Sequence, residues 1–459
     1  MAELQAKFLE GNLFAHVAVM SLTSSVGLMA LFLVDFVNII FISWLKDPNL
    51  TAAIGYAGAI LFFTTSFGIG MSIAASALVS RAVGMRDMAQ ARTKATNAVI
   101  AGIAFGVLFM ALVWINLPFL VELLGASGRT LDQAVHYLRI VVPTLPLLMV
   151  GMIGAAILRS HGDARRAMMA TIYGGLANAV LDPIMIFGLG LDLTGAAIAT
   201  VIARFVIAGT ALLPVIRHHG GFDRPSLASL VADARPIAMI ALPAILIQVA
   251  TPVGQAYVTR AVSVYGEEAV AGMAIVGRMT PVAFGVIFAL SGAIGPIIGQ
   301  NYGARNMGRV SIAFREGLKF AALFTICVAI LLFALRMPIS TLFQAQGLTR
   351  EIIFLFCGPL ALLFFFNGVI FVSNAAFNNL GRPFHSTWTN WGRHTLGTIP
   401  LVMLGASWGG AQGALIGQAV GGVIFGLIAG WLALRMLAQN PPAAPQPARS
   451  TAAADPQTP

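Results

Sequence analysis

The stretch NAVLDPIMIFGLGLDLTGAAIAT, residues 178–200, places a carboxylate, Asp182, directly before a proline within an apolar run. Burying an ionised carboxylate among apolar groups is very costly, so Asp182 must either be neutral or have partners. Asn178 lies four residues earlier and therefore shares a helix face with Asp182. Pro183 donates no backbone hydrogen bond, which leaves the carbonyl of Ala179 unpaired and bends the helix.

These oxygen atoms predict a site for a proton or for a monovalent cation. The Thr200 hydroxyl, near the outer end of the next helix, is a further candidate ligand. The alternative is a buried polar network around Asp182 that only fixes the bend in its helix.

The composition indicates a membrane protein. Of the 459 residues, 58% are hydrophobic and 10% are charged, and the mean hydropathy is +0.87. A soluble chain carries about a quarter charged residues. The net charge of +10 lies mainly in short loops between apolar segments, which argues against nucleic acid as a partner. Residues 1–11 contain no apolar core of a signal peptide.

Apolar stretches long enough to span a bilayer, about 20 residues each, predict twelve transmembrane helices. The predicted ranges are 13–44, 51–79, 94–116, 132–157, 167–189, 193–217, 236–264, 269–299, 313–335, 351–378, 386–405 and 412–437. The expected fold is therefore an all-α polytopic membrane protein.

The distribution of Lys and Arg predicts the orientation of these helices, because cytoplasmic loops carry an excess of both residues. With the N terminus inside, only four lie in outer segments: Lys46, Arg129, Arg336 and Arg350. Nineteen lie in inner segments or at inner helix ends: Lys7, Arg81, Arg86, Arg92, Lys94, Arg159, Arg165, Arg166, Arg217, Arg224, Arg235, Arg305, Arg309, Arg315, Lys319, Arg382, Arg393, Arg435 and Arg449. Both termini are expected to be cytoplasmic, in a cell membrane that we expect to be a bacterial inner membrane.

The two halves of the chain repeat each other. LVSRAVGMRDM (78–88) aligns with IIGQNYGARNM (297–307), and ILRSHGDARRA (157–167) aligns with AFNNLGRPFHS (376–386), both at an offset of 219. GAAIAT (195–200) resembles GALIGQ (413–418) at an offset of 218. Six helices per repeat keep both copies in the same orientation, as in transporters that rock two bundles about a central site. We expect a V-shaped cleft between the two lobes.

The repeat predicts the domain boundaries. We expect residues 1–12 to form a cytoplasmic N-terminal segment, 13–217 the N-lobe with helices 1–6, and 218–235 a cytoplasmic inter-lobe loop whose pattern is compatible with a short surface helix. Residues 236–437 form the C-lobe with helices 7–12. Residues 438–459, rich in Pro and Ala, are expected to be a disordered cytoplasmic tail.

Few charges lie within the predicted spans away from the inner helix ends: Asp35, Arg139, Asp182, Arg204, Arg260 and Arg278. Intramembrane charges are functional candidates by default. Arg139 and Arg260 lie near outer helix ends, from which their side chains can reach water. Arg204 and Arg278 lie deeper, where each could pair with a carboxylate or with backbone carbonyls. Asp35 and Asp182 have no carboxylate at the equivalent positions of the second repeat.

The sequence offers little support for an enzyme. The seven histidines show no spacing typical of a metal site, so the only bound ion expected is a monovalent one at the coupling site. No nucleophile with an acid/base pair and no nucleotide-binding loop of the GxxxxGK[ST] type is present. We expect neither catalysis nor a cofactor within this chain.

The chain resembles the multidrug and toxic compound extrusion family over residues 10–440. The resemblance is carried by twelve helices in two halves, by SRAVGMRD (80–87), by LDPIMIFGLGLDLTGAAIAT (181–200) and by GQNYGA (299–304). It implies a V-shaped transporter of small organic molecules in the lipid bilayer, acting as a monomer. It also implies H⁺ or Na⁺ as the coupling ion.

The pattern is similar to the branch typified by DNA-damage-inducible protein F. That resemblance implies coupling-ion binding by Asp35, Asn178, Asp182 and Thr200, with Arg204 and Arg278 as candidate partners of the carboxylates. The norfloxacin-efflux branch has a glutamate where this chain has Thr251, eight residues after Pro243. One departure concerns the first helix, because a proline usual in the family is replaced here by Met20.

The expected function is secondary active efflux, in which an organic cationic or amphipathic compound leaves as H⁺ or Na⁺ enters. The alternative is a flippase for a lipid-linked precursor. A flippase of anionic headgroups should line its cavity with several Arg or Lys. Only Arg204 and Arg278 are candidates for that lining, which favours efflux.

Overall fold

The computed structural model describes residues 6–44 and 47–439, without the side chains of residues 35, 36, 38–40, 42–44 and 48. Nine long helices follow one another: α1 Leu13–Trp44, α2 Pro48–Gly84, α3 Met88–Ile115, α4 Gly128–Ser160, α5 Ala164–Gly188, α6 Asp192–His218, α7 Leu227–Ser263, α8 Glu267–Gly303 and α9 Met307–Leu342. The tenth, α10, consists of Gly347–Leu363 and Phe365–Asn379, which meet at a bend of 41°.

The apolar stretch Phe384–Gln439 contains two antiparallel helices rather than one. The backbone leaves the helical conformation at Gly409 and Gly410, and Gly410 has a φ of +56°. On either side of this turn the backbones touch, since a Cβ at Gly417 would lie 2.0 Å from the carbonyl oxygen of Leu401. We therefore divide the stretch into α11, which comprises Phe384–His394 and residues 399–408, and α12, residues 411–439. The described residues thus form the twelve predicted helices.

The helices place the turns of the chain alternately at the two ends of the bundle. Residues 85–87, 161–163, 219–226, 304–306 and 380–383 lie at one end, together with the N-terminal turn Lys7–Leu9. Most of the Lys and Arg residues counted above are near these turns, so we call this the basic end. The other end is called the opposite end.

Two boundaries differ from the sequence prediction. α7 begins at Leu227, so residues 227–235 are its first turns and not part of an inter-lobe loop with a separate surface helix. The Ser226 hydroxyl caps these turns by accepting from the backbone of Ser229. α12 continues to Gln439, two residues into the predicted tail, whose remaining residues 440–459 lie outside the described part of the chain.

Contacts with α3 hold this extension of α7 in place. Asp233 is buried, forms an ion pair with Lys94 and accepts a hydrogen bond of 2.7 Å from the Asn97 amide. The preceding loop is fixed as well, because the backbone of Asp223 donates to the Thr96 hydroxyl at 2.8 Å. The connection between the lobes is thus attached to the N-lobe by partners that are distant in sequence.

The depth of Arg393 also differs from the prediction. We had counted it among residues at inner helix ends, but α11 begins at Phe384, nine residues earlier. At a rise of about 1.5 Å per residue, Arg393 lies about 14 Å into the helix. This is close to half the thickness of the hydrocarbon core of a bilayer, about 30 Å.

The repeat is visible in the geometry of equivalent helix ends. α2 and α8 both end in a turn whose second residue is an arginine with positive φ, Arg86 at +59° and Arg305 at +55°. The following helices are capped by the side chains of Asp87 and Asn306, each of which accepts from a backbone N–H three residues later. A residue in the left-handed conformation ends one helix, and the side-chain cap begins the next helix directly afterwards.

The two lobes meet at these helix ends. A Cβ on Gly84 would lie 2.0 Å from the carbonyl oxygen of Gln300, and a Cβ on Gly303 would lie 2.1 Å from that of Arg81. The two contacts exchange under the repeat, because residues 81 and 84 correspond to 300 and 303. α2 and α8 therefore cross about a local twofold axis, with their backbones as close as only glycine allows.

Side chains reinforce this crossing at the basic end. The Arg81 guanidinium donates to the carbonyl oxygen of Asn378 at 2.9 Å, near the end of α10 in the other lobe. The Gln300 amide donates to the carbonyl oxygen of Ser160 at 2.7 Å and accepts from the backbone of Phe8 at 3.0 Å. Phe8 itself is buried among C-lobe residues and N-terminal helix residues. The predicted N-terminal segment thus contributes residue 8 to the seam between the lobes.

Further from the basic end the lobes still make apolar contacts. α2 contacts α7 near Gly70, where a Cβ would lie 2.4 Å from Ile245, and α1 contacts α8 where Gly285 faces Met29 at 3.4 Å. Among the described residues, every hydrogen bond from one lobe to the other lies near the basic end. The result is a V-shaped cleft that is closed at the basic end.

The glycine crossing can be tested by adding one methyl group. We expect Gly84→Ala and Gly303→Ala each to lower folded yield and thermal stability, because the new Cβ overlaps a backbone carbonyl that has no room to move. Overpacking of this kind typically costs about 1–3 kcal/mol. The measurement is the thermal unfolding midpoint of the detergent-purified protein.

Gly277→Ala on α8 is the matched control, since a Cβ there meets nothing within 4 Å. Alanine is the better helix former, so this variant should be as stable as the unmodified protein or slightly more stable. Wild-type stability in both Gly84→Ala and Gly303→Ala would contradict the close crossing.

Candidate ion-coupling site

The helix that carries the candidate site is fixed firmly at its start. α5 begins at Ala164, and the Asp163 side chain caps it by accepting from the backbone of Arg166 at 3.2 Å. His219 Nε2, at the end of α6, lies 3.1 Å from the same carboxylate. Burial acts to raise the pKa of Asp163, but the hydrogen bonds from His219 and Arg166 outweigh it and hold that pKa well below its usual value.

Asn178 and Asp182 lie together on one buried face of α5, as the sequence predicts. The Asn178 amide donates to Oδ2 of Asp182 at 2.6 Å, and Asp182 is only 1% exposed. Its second oxygen, Oδ1, is buried and has no hydrogen-bond partner among the described residues. A buried carboxyl group with one satisfied and one unsatisfied oxygen is suited to hold a proton or to contact a cation.

The helix changes its hydrogen bonding directly after this carboxylate. The α-helical part of α5 ends at Pro183, and Ile184–Gly188 continues as a π-helix. π-helical segments are rare and are found at functional sites. Gly195 on α6 packs against this segment, because a Cβ there would lie 2.7 Å from the backbone of Met185. The GAAIAT motif thus holds α6 against the irregular part of α5.

Thr200 lies on α6 and is partly buried, but its hydroxyl is engaged elsewhere than at Asp182. It donates to the carbonyl oxygen of Ala196 at 3.0 Å and lies 3.5 Å from the Tyr137 hydroxyl. No hydrogen bond joins it to Asn178 or Asp182 within the described residues. The role of Thr200 as an ion ligand therefore stays a prediction, and buried Tyr137 is a neighbour that the sequence did not indicate.

The two arginines are placed differently. Arg204 is buried and donates to the carbonyl oxygen of Val141 at 2.9 Å and to the Thr144 hydroxyl at 2.8 Å. These acceptors lie where α4 changes briefly to a 3₁₀-helix, Val142–Thr144. Arg204 thus binds backbone, one of the two alternatives considered for it. Arg278 is exposed on α8, and among the described residues it forms no ion pair with a carboxylate.

Asp35 falls within α1, but its side chain lies outside the described part of the chain. The preceding residue, Val34, approaches Gly175 of α5, where a Cβ would lie 3.2 Å away. Both helices run from the basic end, so the backbone of Asp35 lies roughly 10 Å from Asp182 along the axis. α1 is a single helix through Met20, which packs into the core shared with the C-lobe.

Comparison with known proteins identifies the family. The MatE family model matches residues 24–184 and 243–404, one stretch in each lobe. Together these stretches cover more than half of the chain, and the chain therefore belongs to the MatE family. It is a multi-pass membrane transporter of small molecules and not an enzyme.

Two relatives differ in their described substrates. The FAD transporter of Shewanella oneidensis is 30% identical over 413 residues, which is 86% of this chain and 89% of that protein. The multidrug export protein MepA of Staphylococcus haemolyticus is 26% identical over 338 residues, 71% of this chain and 73% of that protein.

Solved structures of the family share the fold. An outward-facing multidrug resistance MATE family transporter superimposes with a TM-score of 0.88 at 21% identity, covering 96% of this chain and 99% of that one. A Vibrio cholerae MATE transporter gives a TM-score of 0.88 at 23% identity, covering 94% of this chain and 98% of that one. Both similarities support two repeated six-helix lobes.

The role of Arg204 can be separated from that of the carboxylate. We expect Arg204→Gln to lower the free energy of unfolding by about 1 kcal/mol for each lost hydrogen bond, because Val141 and Thr144 lose their donor. Ion-driven efflux per folded molecule should change much less. Thermal unfolding and liposome efflux of the same preparation measure the two effects. Arg278→Gln is the control, and its stability should be unchanged. A stable but inactive Arg204→Gln would instead place Arg204 in the coupling mechanism.

Proposed function

We propose that this transporter is a secondary active exporter, in which an organic compound leaves the cell as H⁺ or Na⁺ enters. The observation that carries the proposal is the buried Asp182 carboxyl group, with Asn178 on Oδ2 and no partner on Oδ1. A carboxylate in apolar surroundings is stable only when it binds a proton or a cation, or when it forms an ion pair. Within the described residues Asp182 has no ion pair, so ion binding is the remaining way to neutralise it.

One site can serve either ion. A proton and Na⁺ would compete for the same carboxyl oxygens of Asp182. The amide oxygen of Asn178 can coordinate the cation when the side chain turns that oxygen towards the site. Asp35 is the second proposed coupling carboxylate, because its helix packs against α5 and brings its backbone to roughly 10 Å from Asp182 along the axis. Thr200 is the proposed additional ligand, reached by rotation of its side chain away from Ala196.

The proposed orientation places the basic end in the cytoplasm, in keeping with the excess of Lys and Arg there. The termini and the seam between α2 and α8 then face the cytoplasm, in a membrane that we propose is a bacterial inner membrane. The described conformation is accordingly outward-facing. Alternating access would open the seam and close the opposite end, with the lobes moving as two bodies. We propose that the monomer is sufficient, since each lobe pairs with the other within one chain.

The substrate is proposed to be amphipathic. The expectation of a cationic drug is supported by the similarity to MepA proteins, which are multidrug exporters. A second candidate is a flavin nucleotide, supported by 30% identity to an FAD transporter along most of both chains. The flippase alternative requires a cavity lined by several cations. The structure supports a flippase less, because the Arg204 guanidinium already donates to Val141 and Thr144 of α4.

The coupling role predicts a specific loss of function. Asp182→Asn and Asp35→Asn should each fold and bind substrate, because the amide has nearly the same shape, yet neither can exchange a proton. Efflux in liposomes should fall to the rate seen without an ion gradient. The measurement compares dye efflux under a pH gradient alone with efflux under a Na⁺ gradient alone.

Asp132→Asn is the matched control, since this carboxylate is exposed at the opposite end of the same lobe. Its ion-driven efflux should equal that of the wild type. If Asp182→Asn still concentrates substrate against its gradient at the wild-type rate, Asp182 is not the coupling group. The alternative of a polar network that only fixes the bend would then hold.

A further inference from the structure

Each lobe has one arginine deep in its fifth or sixth helix, on α6 in the N-lobe and on α11 in the C-lobe. Arg393 on α11 takes the repeat position of Gly174 on α5, at an offset of 219. Gly422 on α12 takes the position of Arg204 on α6, at an offset of 218. A Cβ on Gly422 would lie 3.8 Å from Nε of Arg393, so the guanidinium lies beside α12.

The two arginines differ in their partners. Arg204 is satisfied by Val141 and Thr144. The guanidinium of Arg393 forms no hydrogen bond or ion pair with any described residue, and the side chain is partly exposed. An unpaired guanidinium near the middle of a membrane is costly, and residues of this kind mark sites of function. Among the described residues, none donates or accepts a bond that offsets the free-energy cost of placing this guanidinium there.

The face of α11 that carries Arg393 points into the C-lobe. Ser386 and Asn390 lie seven and three residues earlier, and thus on the same face. Both contact α10, where the Asn390 amide donates to Asn374 Oδ1 at 3.2 Å and Ser386 lies 3.4 Å from Asn378. Arg393 continues this polar row towards the space between α10, α11 and α12.

Next to Arg393, α11 and α12 pack closely through a buried aromatic ring. The ring of Phe425 on α12 lies over α11, since a Cβ on Gly392 would be 2.3 Å from it and one on Gly397 would be 2.8 Å from it. In the N-lobe, the equivalents of residues 397 and 401 are Asn178 and Asp182. Gly174, the equivalent of Arg393, lies two helical turns before Asp182 on the same face of α5, so equivalent helix faces carry a carboxylate in one lobe and a guanidinium in the other.

We propose that Arg393 binds an anionic group of the transported compound, a phosphate or a carboxylate, within the C-lobe. This inference rests on the proposed transport function and names the substrate class that it takes. A guanidinium binds phosphate or carboxylate through two parallel hydrogen bonds, which fits the unpaired side chain of Arg393. The N-lobe carboxylate then handles the ion, and the C-lobe guanidinium recognises the compound.

Flavin mononucleotide and riboflavin are matched probes, because they share the ring system and differ by one phosphate. Equilibrium binding is measured by fluorescence with the purified full-length protein in detergent. The wild type should bind flavin mononucleotide about tenfold or more tightly than riboflavin, the size expected of a charge-assisted hydrogen bond. Arg393→Gln should bind both probes equally. Arg315→Gln, an exposed arginine on α9, should keep the wild-type preference.

Two further variants distinguish the loss of the anion site from misfolding of the protein. Arg393→Lys keeps the charge but loses the paired donors, so it should retain part of the preference. Gly422→Asp places a carboxylate beside Arg393, because the new Cβ would lie 3.8 Å from Nε of that residue. This variant should bind both probes equally. Its thermal unfolding midpoint shows whether the protein stays folded. Folded variants that all keep the full preference would overturn the proposal, and so would a wild type that does not distinguish the two probes.

Nanodiscs of phosphatidylcholine with or without phosphatidylglycerol separate a transported compound from a lipid headgroup. Displacement of flavin mononucleotide by phosphatidylglycerol would assign Arg393 to lipid and overturn the proposal; unchanged binding supports it. Asp182→Asn should keep the preference for the phosphate. If no ion gradient drives efflux but binding still depends on Arg393, the proposed coupling fails and the anion site remains.

Discussion

The contact between the backbones of α2 and α8 at the basic end determines the arrangement of the whole molecule. Gly84 faces Gln300, and Gly303 faces Arg81, in two contacts that exchange under the repeat. Because no side chain separates the helices there, the lobes are closest at one end, and the cleft between them widens towards the other. In the proposed mechanism these backbone contacts must separate for the basic end to open, so alternating access depends on this crossing.

The two lobes share a scaffold but differ in chemistry. The N-lobe carries Asn178 and Asp182 on the inner face of its fifth helix, and the C-lobe carries Arg393 on the corresponding face of its own. In a repeated fold, equivalent positions of the two lobes have similar backbone surroundings. The lobes can therefore differ in chemistry through their side chains alone. Under the proposed mechanism, one lobe changes its charge with the ion gradient while the other holds the compound. Movement of one lobe relative to the other then links the two events.

Much of this arrangement could be predicted from the sequence. Long apolar stretches predicted the twelve helices, the offset of 219 predicted two lobes, and the four-residue spacing predicted the contact between Asn178 and Asp182. Each of these features depends on local periodicity or on repetition. The first turns of α7 were missed because they are held by the ion pair between Lys94 and Asp233, a partner far away in sequence.

Depth in the membrane was also harder to predict than helix existence. Arg393 was counted with the inner helix ends, although the predicted span begins at residue 386; α11 begins at Phe384 and puts Arg393 near the middle. Arg204 illustrates a related difficulty. Its acceptors arise only where α4 changes to a 3₁₀-helix, which no pattern in the sequence indicated.

The central claim, that the lobes separate at the α2–α8 crossing while the opposite end closes, is tested most directly by a distance across the cleft. Ala59 and Ala256 are exposed, and each lies eleven residues from the contact of Gly70 with Ile245, on the same helix faces and towards the opposite end. Cysteines at these positions, in a chain whose Cys327 and Cys357 are replaced, can carry spin labels for a distance measurement in liposomes. The account predicts a long distance at rest, a second and shorter distance under an ion gradient with substrate, and a block of transport when the pair is cross-linked. A single distance under all conditions, with full transport by the cross-linked protein, would contradict it.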